Sequence, residues 1–147
     1  VANEKSKTAL DDGYFIGVPY VQTKYDVCLP PAMVNAANKY IADMDNESLI
    51  AYDLTDSTFD ELLLCLEEGP IVVWVTDDFV KPTKINSEFG KYYSPMRAIV
   101  MNGYNKFDNT IYYVDPVDGD LTIDYDTISS IYEKCGKRAM MIRRVYG

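Results

Sequence analysis

The sequence of 147 residues predicts an α+β fold, and three observations point to it. Two helical patterns stand early in the chain, over residues 29–42 and from residue 57. From residue 70 onward, β-branched and aromatic runs alternate with short turn sequences. A single late helical pattern, DTISSIYEKCG, interrupts those runs. Strands joined by hairpins, with helices segregated from them, indicate α+β. The length suits one domain, which at this size buries roughly 68–70% of its unfolded surface.

Residues 1–15 read as a polar lead-in ending in the turn DDG, and residues 16–147 as a single domain. YFIGVPYV is a short extended piece interrupted by Gly17 and Pro19. Over Leu29–Ala42, Pro30 and Pro31 fall in the first helical turn, where N–H groups lack intrahelical acceptors. Ala32, Met33, Ala36, Ala37, Tyr40 and Ile41 then recur at helical spacing, with small residues that favour close packing. DMDNESLIAYDLTDS reads as a polar connector with one short apolar insert. The second helix starts at Ser57–Thr58. There Thr58 and Glu61 have the spacing of a capping box, and Gly69 stops the element.

PIVVWVT is a continuous apolar run and predicts a buried strand, with Trp74 in the core. DDFVKPTKINSEFGKYYSP shows little periodicity and reads as a long loop, of the kind that tends to carry function. MRAIVMNGY and NTIYYVDP predict two strands joined by a hairpin through NGYNKFDN. DGDLTIDY predicts a fourth strand, and DTISSIYEKCG a third helix with Asp126 as its cap. KRAMMIRRV closes the chain as a strand that alternates buried and solvated residues.

Composition excludes several function classes. Acidic residues outnumber basic ones 23 to 14, a net charge of −9 that repels phosphate backbones, so nucleic-acid binding is not expected. No apolar run reaches the roughly 20 residues of a membrane span. VANEKSKTALDDG is polar and lacks a signal-peptide pattern, and a start at Val1 reads as a processed or trimmed product. Thirteen tyrosines suit strands and extracellular surfaces. Three cysteines and no histidine leave a zinc site without its usual ligands. Cys65 and Cys135 sit on helical patterns, as buried free thiols or as a disulfide. Asp77, Asp78 and Glu88 lack the D-x-D-x-D-G spacing of a calcium loop, so neither metal nor cofactor is expected.

The candidate chemistry centres on VQTKYDVCLPP, RAIVMNGYN and IYYVDPVDG. Gln22 stands six positions before Cys28, and Cys28 opens a helix. In their order these pieces resemble the papain-like cysteine peptidases of the bacteriocin-processing type (peptidase family C thirty-nine). The resemblance covers about residues 16–142. RAIVMNGYN is similar to that family's H-A-V-V-x-x-G-Y block, and IYYVDPVDG to its x-Y-x-x-D-P-x-x-G block.

The resemblance implies a papain-like fold, with N-terminal helices packed on a mainly antiparallel sheet. It implies Cys28 as nucleophile, its thiol acidified by the helix dipole. It implies Gln22 as an oxyanion-hole donor and Asp115 as the residue that orients the base. The base itself would stand at position 97, which here is Arg97. Arginine stays protonated and cannot accept the thiol proton. Leu29, Pro30 and Pro31 also depart from the small or acidic residues usual after the family's cysteine. Arg97 can pair with Asp115 as a structural bridge, or favour a Cys28 thiolate as a cationic neighbour.

Three readings follow. The leading one is a degenerate, non-hydrolytic module outside the cytoplasm, at the cell surface or secreted. It would bind a peptide or protein segment between the Cys28 helix and the Arg97 strand, edged by residues 77–95. The others are an active thiol peptidase or transferase working without histidine, and a purely structural domain.

Overall fold

The computed structural model describes residues 8–17 and 27–145. Helix α1, Pro30–Asp43, has its prolines at the first two helical positions, as their fixed φ and missing N–H favour. Strand β1, Leu49–Asp53, follows. This corrects the polar connector: LIAYD is an edge strand, paired antiparallel with the far end of the chain. Helix α2, Phe59–Cys65, carries the expected capping box, with Thr58 and Glu61 bonding each other's backbone N–H. Strand β2, Ile71–Thr76, is followed by a short 3₁₀ turn, Asp77–Phe79.

The expected long loop is also corrected. It contains a two-stranded hairpin of β3, Thr83–Ser87, and β4, Gly90–Ser94. Strand β5 runs Met96–Asn105, β6 Thr110–Asp115 and β7 Gly119–Asp124. Helix α3, Tyr125–Lys134, is capped by Asp124, whose side chain accepts from Thr127 N–H. The cap is therefore two residues ahead of the expected Asp126. Strand β8, Ala139–Arg144, closes the fold.

Six strands form one antiparallel sheet in the order β1-β8-β2-β5-β6-β7. Both faces of its centre are covered. Ile71, Val73 and Val75 of β2, with Ile99 and Met101 of β5, pack against Phe59 and Leu62 of α2 and Ile128 and Tyr132 of α3. The alternate residues Val72, Trp74, Met96 and Ala98 pack against Leu29 and the α1 residues Met33 and Ala37. A period of two sends successive side chains to opposite faces, so a strand covered on both sides must be apolar throughout. That is why PIVVWVT shows no polar alternation.

Residues 8–15, the described part of the expected lead-in, contribute Ala9 and Leu10 to the core, and Leu10 N–H donates to Phe89 O at 3.0 Å. On the other rim, Asn38 of α1 clasps β1. Its amide donates to Ala51 O at 3.2 Å and accepts from Ala51 N–H at 2.8 Å. The cysteines Cys28, Cys65 and Cys135 are free thiols, with Cys135 buried.

Candidate functional site

Arg97 is the second residue of β5, opposite Val75 of β2. Met96 and Ala98 beside it point to the α1 layer, so strand alternation sends Arg97 to the other face, with Val75, Ile99 and Tyr113. Asp115 ends β6 on that same face. The Arg97 Nη1 donates to Asp115 Oδ2 at 2.8 Å, and Nη2 pairs with Asp77 Oδ1 at 3.1 Å. The expected partnership of Arg97 with Asp115 thus exists as an ion pair. The Asp115 side chain is 6% exposed and that of Arg97 25%.

The second oxygen of Asp115 serves the turn into β7. Oδ1 accepts from Val117 N–H at 2.7 Å and from Asp118 N–H at 3.1 Å. Aspartate side chains commonly hold turns in this way, satisfying backbone donors that the reversal would leave unpaired. The Arg97 hydrogen bond first, and the two backbone bonds after it, hold the Asp115 carboxyl below the usual carboxylate range. The same bond with Asp115 raises the Arg97 guanidinium above its ordinary value.

Cys28 lies on the other side of the sheet, near α1. Its carbonyl accepts from Trp74 Nε1–H at 2.8 Å, which satisfies the polar atom of a buried indole. The half-buried thiol lies 3.9 Å from Leu29 O. Helix α1 begins at Pro30, so Cys28 precedes the N-cap residue Leu29. A helix start ordinarily offers free N–H groups to an anion. Here Pro30 and Pro31 have none, and the N–H groups of Ala32 and Met33 both donate to Leu29 O, at 3.1 and 3.2 Å. Burial pushes the Cys28 thiol up, and burial is the cause at work there. The charges acting on Arg97 are Asp115, Asp77 and Asp118. The partners of Arg97 are these carboxylates, on the face of β5 opposite the α1 layer. Gln22 lies outside the described residues.

A cavity of about 190 Å³ opens beside the Arg97–Asp115 pair. Val75, Ile99 and Tyr113 line it, and Asp78 and Asp118 stand in its wall, which does not include Cys28. Sequence reasoning missed Asp77 as the second partner of Arg97. Asp77 reaches Arg97 because β2 and β5 are neighbours and the chain turns at the end of β2, where Asp78 and Phe79 take left-handed φ values of 55° and 54°. The signal available was the acidic pair DD directly after a strand. Among the described residues no group of acidic or thiol side chains is arranged to hold a metal ion.

The comparisons with known proteins agree with this architecture. A crystal structure of a protein assigned as a C39-like peptidase from Bacillus anthracis matches with a TM-score of 0.66 and 19% identity, over 86% of this chain. The match spans 65% of that structure's chain, and at this identity it shows a common fold. No curated protein matches the sequence. The profile of the Peptidase_C39 like family matches residues 3–140, nearly the whole chain. By that match the protein belongs to the Peptidase_C39 like family.

Proposed function

We propose that this domain is a degenerate member of its family that binds a peptide or protein segment without hydrolysing it, outside the cytoplasm. One observation carries the reading. The Arg97 guanidinium is tied to Asp115 and Asp77, at the position that the resemblance gives to the base. A thiol peptidase needs a group that takes the thiol proton and returns it to the leaving amine. A guanidinium cannot do so. The chain contains no histidine to replace it. Positioned acid–base help is worth roughly 10²–10⁴ in rate.

The surroundings of Cys28 support the same reading. Burial raises its thiol, and the first turn of α1 offers it no free N–H between Pro30 and Met33.

The test is alkylation of each cysteine against pH, read by peptide mass spectrometry, beside a screen of mixed peptides for both binding and cleavage. The expected result is slow alkylation of Cys28 at pH 6, a rise only in the alkaline range, and peptide capture without turnover. Rapid alkylation of Cys28 at pH 6 together with cleavage would establish a working thiol peptidase or transferase. Slow alkylation with no peptide captured would leave a purely structural domain.

A further inference from the structure

The cavity beside Arg97 has a specific chemistry. We propose that it receives a lysine side chain of a bound peptide, the alkyl stem on its apolar wall and the ammonium at its acidic mouth. This deepens the peptide-binding reading and rests on it.

Size comes first. The cavity holds about 190 Å³. Pockets for small molecules run to roughly 300–1,000 Å³, so this one takes a single side chain. Its wall includes Val75, Ile99, Leu121 and Ile123, which supply apolar contact along a methylene stem.

The polar groups are of one kind. Asp78 and Asp118 line the cavity and are exposed. Among the described residues neither side chain has an ion pair or hydrogen bond. Arg97 is the cation of the cavity, and each of its two outer nitrogens is already paired with a carboxylate, Asp115 or Asp77. Three aspartates, Asp78, Asp115 and Asp118, line the cavity with one arginine, and the excess negative charge attracts a second cation.

Tyr113 is an independent observation. It is 7% exposed and lines the cavity. Its ring is held edge-on by Phe79, with centroids 5.7 Å apart. Yet its hydroxyl has no hydrogen-bond partner among the described residues. The charges that bear on this hydroxyl are Asp115, Asp118, Arg97 and Asp78, which all line the cavity. The ring is buried but the hydroxyl keeps contact with solvent, so it stands open to a donor entering the cavity. An ammonium at the mouth would donate to the Tyr113 oxygen and to the two free carboxylates, and so complete all three. A carboxylate would be repelled, and a purely apolar side chain would leave them unpaired.

The experiment is a methyl-detected NMR titration of the whole chain with N-acetyl-lysine methylamide. Its norleucine counterpart has the same stem without the charge. The expected result is shifts at the Ile99, Leu121 and Ile123 methyls, with lysine binding about tenfold tighter than norleucine. Asp78→Asn with Asp118→Asn removes the preference, and Tyr113→Phe weakens lysine several-fold while keeping the ring. Both aspartates are exposed, so the double variant is expected to fold, and its circular dichroism checks this. Equal binding of lysine and norleucine, no methyl shifts, or unchanged affinity in the double variant would each overturn the proposal. The mixed-peptide screen separates it from the broader reading. Peptides captured with no enrichment of lysine would sink the lysine receptor alone. Lysine methylamide bound while no peptide is captured would sink the peptide-binding module alone.

Discussion

The two sides of the sheet treat their motif residues differently. On one side Arg97 and Asp115 are closely partnered, through Asp77, Val117 and Asp118. On the other, Cys28 lies half-buried beside two prolines, with Trp74 holding its carbonyl rather than its thiol. The difference follows from what each group demands. A charge or carboxylate at the edge of a core needs partners, or its desolvation destabilises the fold. A thiol needs none, because free cysteine packs as a small hydrophobe. The Arg97–Asp115 pair therefore serves the fold as a structural brace, while the Cys28 thiol can be buried without polar support.

The largest expected effect tests the Cys28 side. Trp74→Ala should cost about 3–5 kcal/mol in urea unfolding, since Trp74 is 2% exposed and central to the α1 layer. Trp74→Phe keeps most of the packing but strands the Cys28 carbonyl, at about 1–3 kcal/mol. If Trp74→Ala were nearly neutral, the anchoring of Cys28 would not come from the core.

Next in size is Asp115→Asn, which weakens the brace and carries a pH signature. The Asp115 carboxyl is depressed in the folded state. Its stabilisation is therefore present above the unfolded value, about 3.9, and is lost as pH falls through the folded value. Wild type should exceed the variant in stability at pH 7, with the gap closing below about pH 4. Unfolding at pH 7 and pH 3 checks this, and an unchanged gap would show that the charge contributes nothing.

A smaller effect sharpens the contrast at the helix start. Replacing Pro30 and Pro31 with alanine restores two N–H groups near Cys28. Alkylation of Cys28 at pH 7 should then rise roughly two- to fivefold, the worth of a helix terminus to a nearby anion. The smallest effect is Arg97→His. It supplies a base in sequence but not the helix-start donors, so peptide cleavage should stay at background in a fluorogenic assay. Measurable turnover from that one change would place the whole defect at position 97.

Much of the architecture was legible because its signals are local. The capping box at Thr58 and Glu61, the prolines of α1 and the apolar run of β2 each determine their own element. What was not legible depends on distant partners. LIAYD becomes a strand only by pairing with β8 from the opposite end of the chain. TKINSEFGKYYS alternates weakly, and its strands hold together chiefly as a pair. Asp124 and Asp126 are both plausible caps by composition, and the end of β7 decides between them. Within the site, the Arg97–Asp115 pair could be anticipated from two motif blocks on adjacent strands. The bond to Asp77 could not, since it depends on a turn whose backbone passes through left-handed conformations at ordinary residues.

The Asn38 clasp has a consequence for crowded solutions. An open sheet has two rims, and stacking of copies into a filament needs both to be adhesive. At the β1 rim the outward N–H and C=O of Ala51 are already occupied by a side-chain amide from α1. Among the described residues the β7 rim carries no such side-chain clasp on its strand backbone. A strand from another molecule pairing at the middle of β1 would have to displace the Asn38 amide, whereas at β7 it would meet no such competitor.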